Sequence, residues 1–126
     1  MNPLGLVPVL RHGEQVIVQS LAICEYLDDA FGPADLLPND AAGKARVRGM
    51  AQSIASEIQP LNNLAVVQYL EKQMGQPRQA VDAWFSHWLD RGFSAIEAWL
   101  KDEATGDFCH GNQPGLADCC LVPQVY

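Results

Sequence analysis

Hydrophobic and polar residues alternate over the first part of the chain and then change to a helical repeat. Two β-prone stretches, residues 6–10 and Gln15–Val18, are separated by residues 11–14, a turn-rich connection typical of a hairpin. From Ser20, a favourable N-cap residue, apolar side chains recur every three or four residues until Gly32-Pro33 stops the pattern. The pattern therefore predicts an antiparallel hairpin followed by one helix.

Beyond residue 39 the hydrophobic pattern is helical. Asp40 can cap a long helix that runs toward Gln59. Pro60 should kink or break this helix, because proline lacks the N–H that a helix interior needs. The helical repeat resumes at Leu61 and continues to Gly75. We expect a bend at Gln59-Pro60.

A single apolar stripe runs along the segment that follows Pro77 and contains all three tryptophans. This pattern favours a bundle helix that packs its widest face into the core over an aromatic ligand box. A last apolar helix begins near Leu116, has Pro123 near its end and stops at Tyr126 without a capping signal. The stripe consists of Val81, Trp84, Phe85, Trp88, Leu89, Ile96, Trp99 and Leu100.

The fold class that follows is a partial α/β unit, ending near Leu37, followed by an all-α unit. An isolated hairpin is marginally stable in water, and two strands with one helix do not bury both faces of a sheet. We therefore expect further chain before Met1, and a chain truncated at both ends.

Composition narrows the possible partners. The 126 residues are 48% hydrophobic and 18% charged, as in an ordinary soluble globular protein. Fifteen acidic against eight basic residues give a net charge of −7, which opposes nucleic acid and anionic membranes as partners. The chain shows neither a bilayer-spanning apolar run nor a secretory signal, so we expect a cytoplasmic protein.

The four cysteines form no CxxC pair, and buried reduced thiols are their simplest interpretation. Cys109 and His110, near Cys119 and Cys120, lack the usual ligand spacing of a zinc site. We predict no metal site.

Two short motifs carry candidate chemistry. Pro8 lies in a β-prone stretch, which implies either an edge strand or a cis turn; a cis bond would leave the N–H and C=O of Val7 free to pair with a peptide-like ligand. The first N–H groups of the following helix, with the Ser20 hydroxyl and the Gln19 amide, could bind a carboxylate. An ordinary N-cap at Ser20 beside a solvated Gln19 is the alternative.

In combination, these motifs resemble a glutathione transferase. The N-terminal part matches the second half of that family's thioredoxin-like domain, and the helical part is similar to the zeta class, of the maleylacetoacetate isomerase type. The N-terminal runs are Asn2-Pro3, GLVPVL at 5–10, QSLAI at 19–23 and EYL at 25–27. The helical runs are LLP at 36–38, IQPLNNL at 58–64, and AD at 117–118 followed by LVPQV at 121–125.

The resemblance implies two units: residues 1–37 as the C-terminal half of a thioredoxin-like, glutathione-binding domain, and residues 38–126 as an incomplete α-helical domain. It implies glutathione as cofactor, bound by the main chain of Val7 and, through its γ-glutamyl carboxylate, by Gln19 and Ser20. Family members are dimers, so we expect a homodimer of the full-length parent. The residues that match the family's substrate contacts are Gln59, Asn63, Leu64 and Ala65.

The implied reaction is the glutathione-dependent cis–trans isomerisation of maleylacetoacetate, a small unsaturated diketo acid of tyrosine and phenylalanine catabolism. The family's Ser-rich, thiol-activating motif corresponds to a position before residue 1, so we assign no catalytic residue. Gly115 stands where the family commonly has Ser or Thr, so the capping box with Asp118 is half present. Maleylpyruvate isomerases tend to place His and Arg near Gln59 and Ala65, which weakly favours maleylacetoacetate here.

Two other functions stay open at this point. A general glutathione transferase for small electrophiles such as α-halo acids would use the same pocket. A non-catalytic helical binding module would keep the fold without the thiol-activating motif.

Overall fold

The computed structural model describes residues 2–32 and 35–125. The predicted order, a hairpin and a helix followed by further helices, is confirmed. Pro33 and Tyr126, which the sequence places at two helix ends, lie outside the described residues. The elements are β1 (Val9–His12), β2 (Gln15–Val18), α1 (Ser20–Phe31), α2 (Ala41–Gln52), α3 (Leu64–Gln68), α4 (Arg78–Trp99) and α5 (Leu116–Val125).

The hairpin is shifted relative to its prediction. β1 begins after Pro8, not at residue 6, because proline has no N–H to donate to a strand ladder. Arg11 and His12, predicted in the connection, instead pair with Val16 and Gln15. The turn is thus reduced to Gly13 and Glu14, with Gly13 at φ +60°, a conformation that glycine adopts without steric cost. Within the described residues the sheet has these two strands only.

The helix expected between Asp40 and Gln59 is present but is not α-helical throughout. The Asp40 carboxylate accepts the Gly43 N–H at 2.8 Å, as a capping residue should. The α-helix ends at Gln52 and continues as a π-helix, Ser53–Ile58, followed by a 3₁₀ turn, Gln59–Leu61. The chain is therefore interrupted at Pro60, where the sequence predicts a bend. A second π-helical segment, Tyr69–Gln73, follows α3.

The hydrophobic core lies where α2, the first π-helix and α5 meet α4. Val81 and Ile96 of α4 are buried, and Trp84 and Trp88 are half-buried. The expectation that all three tryptophans belong to the core is wrong for Trp99, which is 41% exposed. Trp99 lies five full turns beyond the buried Val81 and so on the same face, but it is the last residue of α4, at the end of the helix. The central cluster is Val47, Met50, Ala51, Ile54, Ile58, Ile96, Cys109, Leu116 and Ala117.

The backbone of Leu36 connects the first unit to the last helix. Its N–H donates to Asp28 Oδ2 of α1 at 3.1 Å, and its C=O accepts the Leu116 N–H of α5 at 2.8 Å. At the start of α5, the Asp118 carboxylate accepts the N–H of Gly115 at 2.8 Å and that of Cys109 at 2.9 Å. The half capping box inferred from the sequence is thus formed. In the described residues, no helix has both the length and the apolar character to cross a membrane.

Candidate functional site

One end of the hairpin brings together the residues predicted to bind glutathione. Val9 pairs with Val18 in antiparallel register, so the chain before Val9 and the chain after Val18 leave the ladder at the same end. The Val7-Pro8 bond is cis, which decides between the two alternatives left open for Pro8. Val7 is 90% exposed, and its N–H and C=O make no hydrogen bond to another described residue.

The start of α1 differs from its prediction in one respect. Gln19, not Ser20, is the N-cap residue, and Ser20 is the first residue of the helix. Gln19 has φ +74° and ψ 125°, a left-handed conformation that costs a residue other than glycine about 1–3 kcal/mol and is concentrated at functional sites. Its side chain makes no capping hydrogen bond, and the first turn has no acidic residue. The first N–H groups of α1 are thus left without a side-chain acceptor.

The predicted substrate-side residues lie at and after the interruption of the helix. Gln59 opens the 3₁₀ turn, and Asn63 is the N-cap residue of α3, where its Oδ1 accepts the Val66 N–H at 3.0 Å. Because the oxygen is used in the cap, the amide NH₂ of Asn63 remains as a donor. Leu64, 70% exposed, and Ala65 follow in the first turn of α3.

All seven predicted site residues are exposed and therefore accessible to a ligand. Val7, Gln19 and Ser20 share the end of the hairpin, while Gln59 and residues 63–65 share the bend. Among the described residues, no hydrogen bond joins these two groups.

Residues of α4 that the sequence analysis did not assign to the site contact the bend. The Trp84 Nε1–H donates to the Leu61 C=O at 2.8 Å. A Cβ on Gly92 would lie 2.5 Å from Cγ1 of Ile58, so this glycine permits a close approach of α4 to the π-helix. The sequence places Trp84 on the core stripe. Its contact with the bend could have been suspected from one signal only, namely that a buried indole N–H usually finds a hydrogen-bond acceptor.

A charged cleft lies apart from the seven predicted residues. A polar cleft of about 560 Å³ between α1 and α2 contains none of the seven predicted residues. On its wall, the Arg48 guanidinium donates two hydrogen bonds to Glu25, at 3.1 and 2.7 Å, and these bonds hold the pKa of Glu25 below its usual value. Within the described ranges, no group of three or more His, Cys, Asp or Glu side chains is arranged to hold a metal ion.

Comparison with known proteins adds to this geometry. Residues 1–30 match the family model described as glutathione S-transferase, N-terminal domain. The chain is 44% identical over 126 residues to the probable maleylacetoacetate isomerase of Vibrio cholerae. Its fold matches that of a bacterial maleylpyruvate isomerase, described as a zeta-class glutathione transferase, with a TM-score of 0.93 and 45% identity over 98% of the chain. The resemblance to zeta-class glutathione transferases is confirmed.

The likeness covers nearly the whole chain but only part of each relative. The chain spans 58% of the Vibrio cholerae protein and 59% of the maleylpyruvate isomerase structure. A third relative is the maleylacetoacetate isomerase of Anaeromyxobacter dehalogenans, 36% identical with a TM-score of 0.85 over 97% of this chain and 56% of its own. Its structure contains dicarboxyethyl glutathione and citrate in the active site. The two solved structures share the fold of this chain, and the three relatives are named for two isomerase activities.

Proposed function

We propose that the chain binds glutathione and is part of a glutathione-dependent cis–trans isomerase of the maleylacetoacetate type. The observation that carries this proposal is the hairpin end, where an unpaired Val7 main chain beside cis-Pro8 shares one edge with the uncapped start of α1. The names of two relatives, both maleylacetoacetate isomerases, supply the reaction class.

The available groups fit glutathione by their chemistry. The Val7 N–H and C=O pair with a peptide unit of the tripeptide as an added strand would. The γ-glutamyl carboxylate accepts hydrogen bonds from the Ser20 hydroxyl and from the first N–H groups of α1, where the helix dipole favours a negative charge. Gln19, as the N-cap residue, turns the chain so that these N–H groups face the ligand, and its amide donates to the carboxylate.

The bend supplies the substrate side of the proposed site. When bound, glutathione supplies a thiol that adds to the activated alkene and leaves after rotation about the resulting single bond. The amides of Gln59 and Asn63 donate hydrogen bonds to the oxygens of the diketo acid, and Leu64 and Ala65 form its apolar wall. No residue of this chain is assigned to activation of the thiol.

The proposal includes the division of the chain and its setting. Residues 1–37 would be the glutathione-binding unit of thioredoxin type, and residues 38–126 the helical unit that faces the substrate. A homodimer in the cytoplasm is part of the same proposal, as is maleylacetoacetate as the substrate in tyrosine catabolism.

Maleylpyruvate is the second candidate substrate, because one of the most similar structures is a maleylpyruvate isomerase. Both candidate substrates carry two carboxylates, but the distal carboxylate of maleylpyruvate lies one methylene closer to the alkene. An arginine would anchor that carboxylate best, whereas Gln59 and Ala65 carry no charge. An uncharged wall at these two positions favours the longer diketo acid. Initial rates with the two substrates, compared at equal concentration, distinguish the two.

Glutathione binding is the first test of the proposal. At a glutathione concentration of 100 Kd, the stability of the 126-residue chain should rise by about 2.7 kcal/mol. Replacing Ser20 by Ala removes a hydrogen bond to a charged group, and should weaken the binding about 10- to 100-fold by isothermal calorimetry. Ser94→Ala, at an exposed position on α4, is the matched control and should leave the Kd unchanged.

The opposite results are equally informative. Unchanged glutathione affinity in Ser20→Ala would remove Ser20 from the site, and no binding by the unsubstituted chain would overturn the proposed function. Stoichiometric accumulation of a glutathione conjugate would replace the isomerase by a conjugating transferase.

A further inference from the structure

One peptide unit of the bend is held from both sides. The unit that joins Leu61 to Asn62 donates its N–H to the Gln59 C=O at 3.2 Å and accepts the Trp84 Nε1–H on its C=O at 2.8 Å. Because a peptide unit is planar, fixing both polar groups fixes the orientation of the whole unit. The unit lies between Gln59 and Asn63, the two polar residues of the proposed substrate side.

The contact from Trp84 reaches across the fold. Trp84 lies 23 residues beyond Leu61, on α4, and its indole ring packs edge-to-face against Trp88 with the ring centroids 5.6 Å apart. The guanidinium of Arg91 lies 5.4 Å from the centroid of the Trp88 ring. The indole that donates to the bend is therefore braced by its own helix.

Among the described residues, the side chains of Pro60 and Asn62 add little to the hydrogen bonds within the bend. Pro60 has no N–H to donate. Asn62 is buried, with only 9% of its surface exposed, yet among the described residues its side chain makes a single long contact, 3.5 Å from Nδ2 to the Ile58 C=O. Its Oδ1 is buried without a hydrogen-bond partner among the described residues. Without Trp84, the Leu61 carbonyl would lose the hydrogen bond that it accepts from α4.

We infer that Trp84 is a positioning residue for the substrate side of the site: its indole N–H fixes the Leu61–Asn62 peptide and thereby sets the directions in which Gln59 and Asn63 present their amides. The inference rests on the proposed function, because those two amides are its substrate contacts. Trp84 itself does not touch the substrate.

The test compares two ligands that differ only on the substrate side. Glutathione reports on Val7, Gln19 and Ser20, whereas S-(1,2-dicarboxyethyl)glutathione, the addition product of glutathione and maleate, also reports on the bend. Trp84→Phe keeps an aromatic ring but removes the N–H. In this variant the ratio of the glutathione Kd to the adduct Kd should fall about three- to ten-fold, the equivalent of one hydrogen bond. The Kd of glutathione itself should stay unchanged. Both values are measured by isothermal calorimetry.

Two further variants separate positioning from stability. Trp99→Phe, the same change on the same helix at a more exposed position, should leave both affinities unchanged. Benzothienylalanine at position 84 replaces the indole N–H by sulfur with little change of shape, and should reproduce the effect of Trp84→Phe even if the phenylalanine variant does not fold.

Each outcome decides a different point. If the adduct preference survives in both Trp84 variants, or if the two ligands weaken equally, Trp84 has a structural role only and the inference is overturned. If the unsubstituted chain binds neither ligand, the proposed function itself fails. A selective loss of adduct affinity in the Trp84 variants, with the Trp99 control intact, supports the inference.

Discussion

At the scale of single residues, Asp118 and Cys109 show how one buried contact sets the properties of a side chain. The Asp118 carboxylate accepts two backbone N–H groups, one of them from Cys109. The Cys109 side chain is 3% exposed, and its burial, together with a hydrogen bond to Asp118, raises its pKa to about 12. Cys109 is therefore a structural thiol, because the reactive species of a cysteine is the thiolate.

Thiol alkylation tests this property. At pH 8 roughly one Cys109 thiol in ten thousand is ionised, so iodoacetamide should modify the exposed Cys119 in the native protein and reach Cys109 only when the protein unfolds. Since the pKa of Cys109 is raised by folding, its contribution to stability is complete below the usual thiol value of 9.0 and is lost as the pH rises from there toward 12. Peptide mass spectrometry follows each site, and equal native rates at Cys109 and Cys119 would contradict the expectation.

At the scale of elements, the contact between α4 and the first π-helix is set by a missing side chain. A Cβ on Gly92 would lie 2.5 and 2.6 Å from Cγ1 and Cδ1 of Ile58, and Ile58 is 2% exposed. Buried side chains in a close-packed core have little room to move. The two elements can approach this closely because residue 92 has no side chain.

Two glycine-to-alanine substitutions should therefore have opposite signs. Gly49→Ala, on α2 with nothing within 4 Å of the new Cβ, should raise the free energy of unfolding by about 0.5–1 kcal/mol, because alanine has the better helix propensity. Gly92→Ala should lower it by about 1–3 kcal/mol, because Ile58 must move. Urea unfolding of both variants provides the measurement. A stabilised Gly92→Ala would show that the contact is loose.

At the scale of the whole molecule, α1 packs Leu21 and Cys24 against the helical core and adds polar contacts at its surface. Glu25 of α1 and Arg48 of α2 form an ion pair with two hydrogen bonds, and their side chains are 34% and 44% exposed. The Leu36 backbone adds hydrogen bonds to α1 and α5. Exposed ion pairs contribute little to stability, so we interpret Glu25–Arg48 mainly as an orienting contact between the two units.

A double-mutant cycle of Glu25→Gln and Arg48→Gln tests this interpretation. The pKa of Glu25 is lowered in the fold, chiefly by the hydrogen bond from Arg48, so the coupling is present above the usual carboxyl value of 4.5 and is lost as the pH falls through the lower folded value. Denaturant unfolding at pH 7 and at pH 3 should give a small coupling at pH 7, which added salt weakens, and a smaller coupling at pH 3. In the control cycle, Glu14→Gln with Arg48→Gln should be additive. A coupling as large at pH 3 as at pH 7 would contradict the ion-pair interpretation.

Local signals were sufficient for the order of the elements. Four features each depend on a few neighbouring residues and could therefore be predicted from the sequence. They are the hairpin turn near Gly13, the Asp40 cap, the interruption at Pro60 and the three- and four-residue repeat of α4. The family resemblance could be recognised from the sequence for the same reason, because its motifs are short runs of residues. The roles of the seven site residues remain predictions.

Only the tertiary structure decided the features that depend on contacts between distant residues. The π-helix at Ser53–Ile58 differs from an α-helix by one residue in its hydrogen bonding, and it buries Ile54 and Ile58 in the core. The donation from Trp84 to Leu61 and the exposure of Trp99 likewise depend on how α4 lies on its neighbours. Periodicity tells which residues share a helix face, but the neighbouring elements decide how deeply each position on that face is buried.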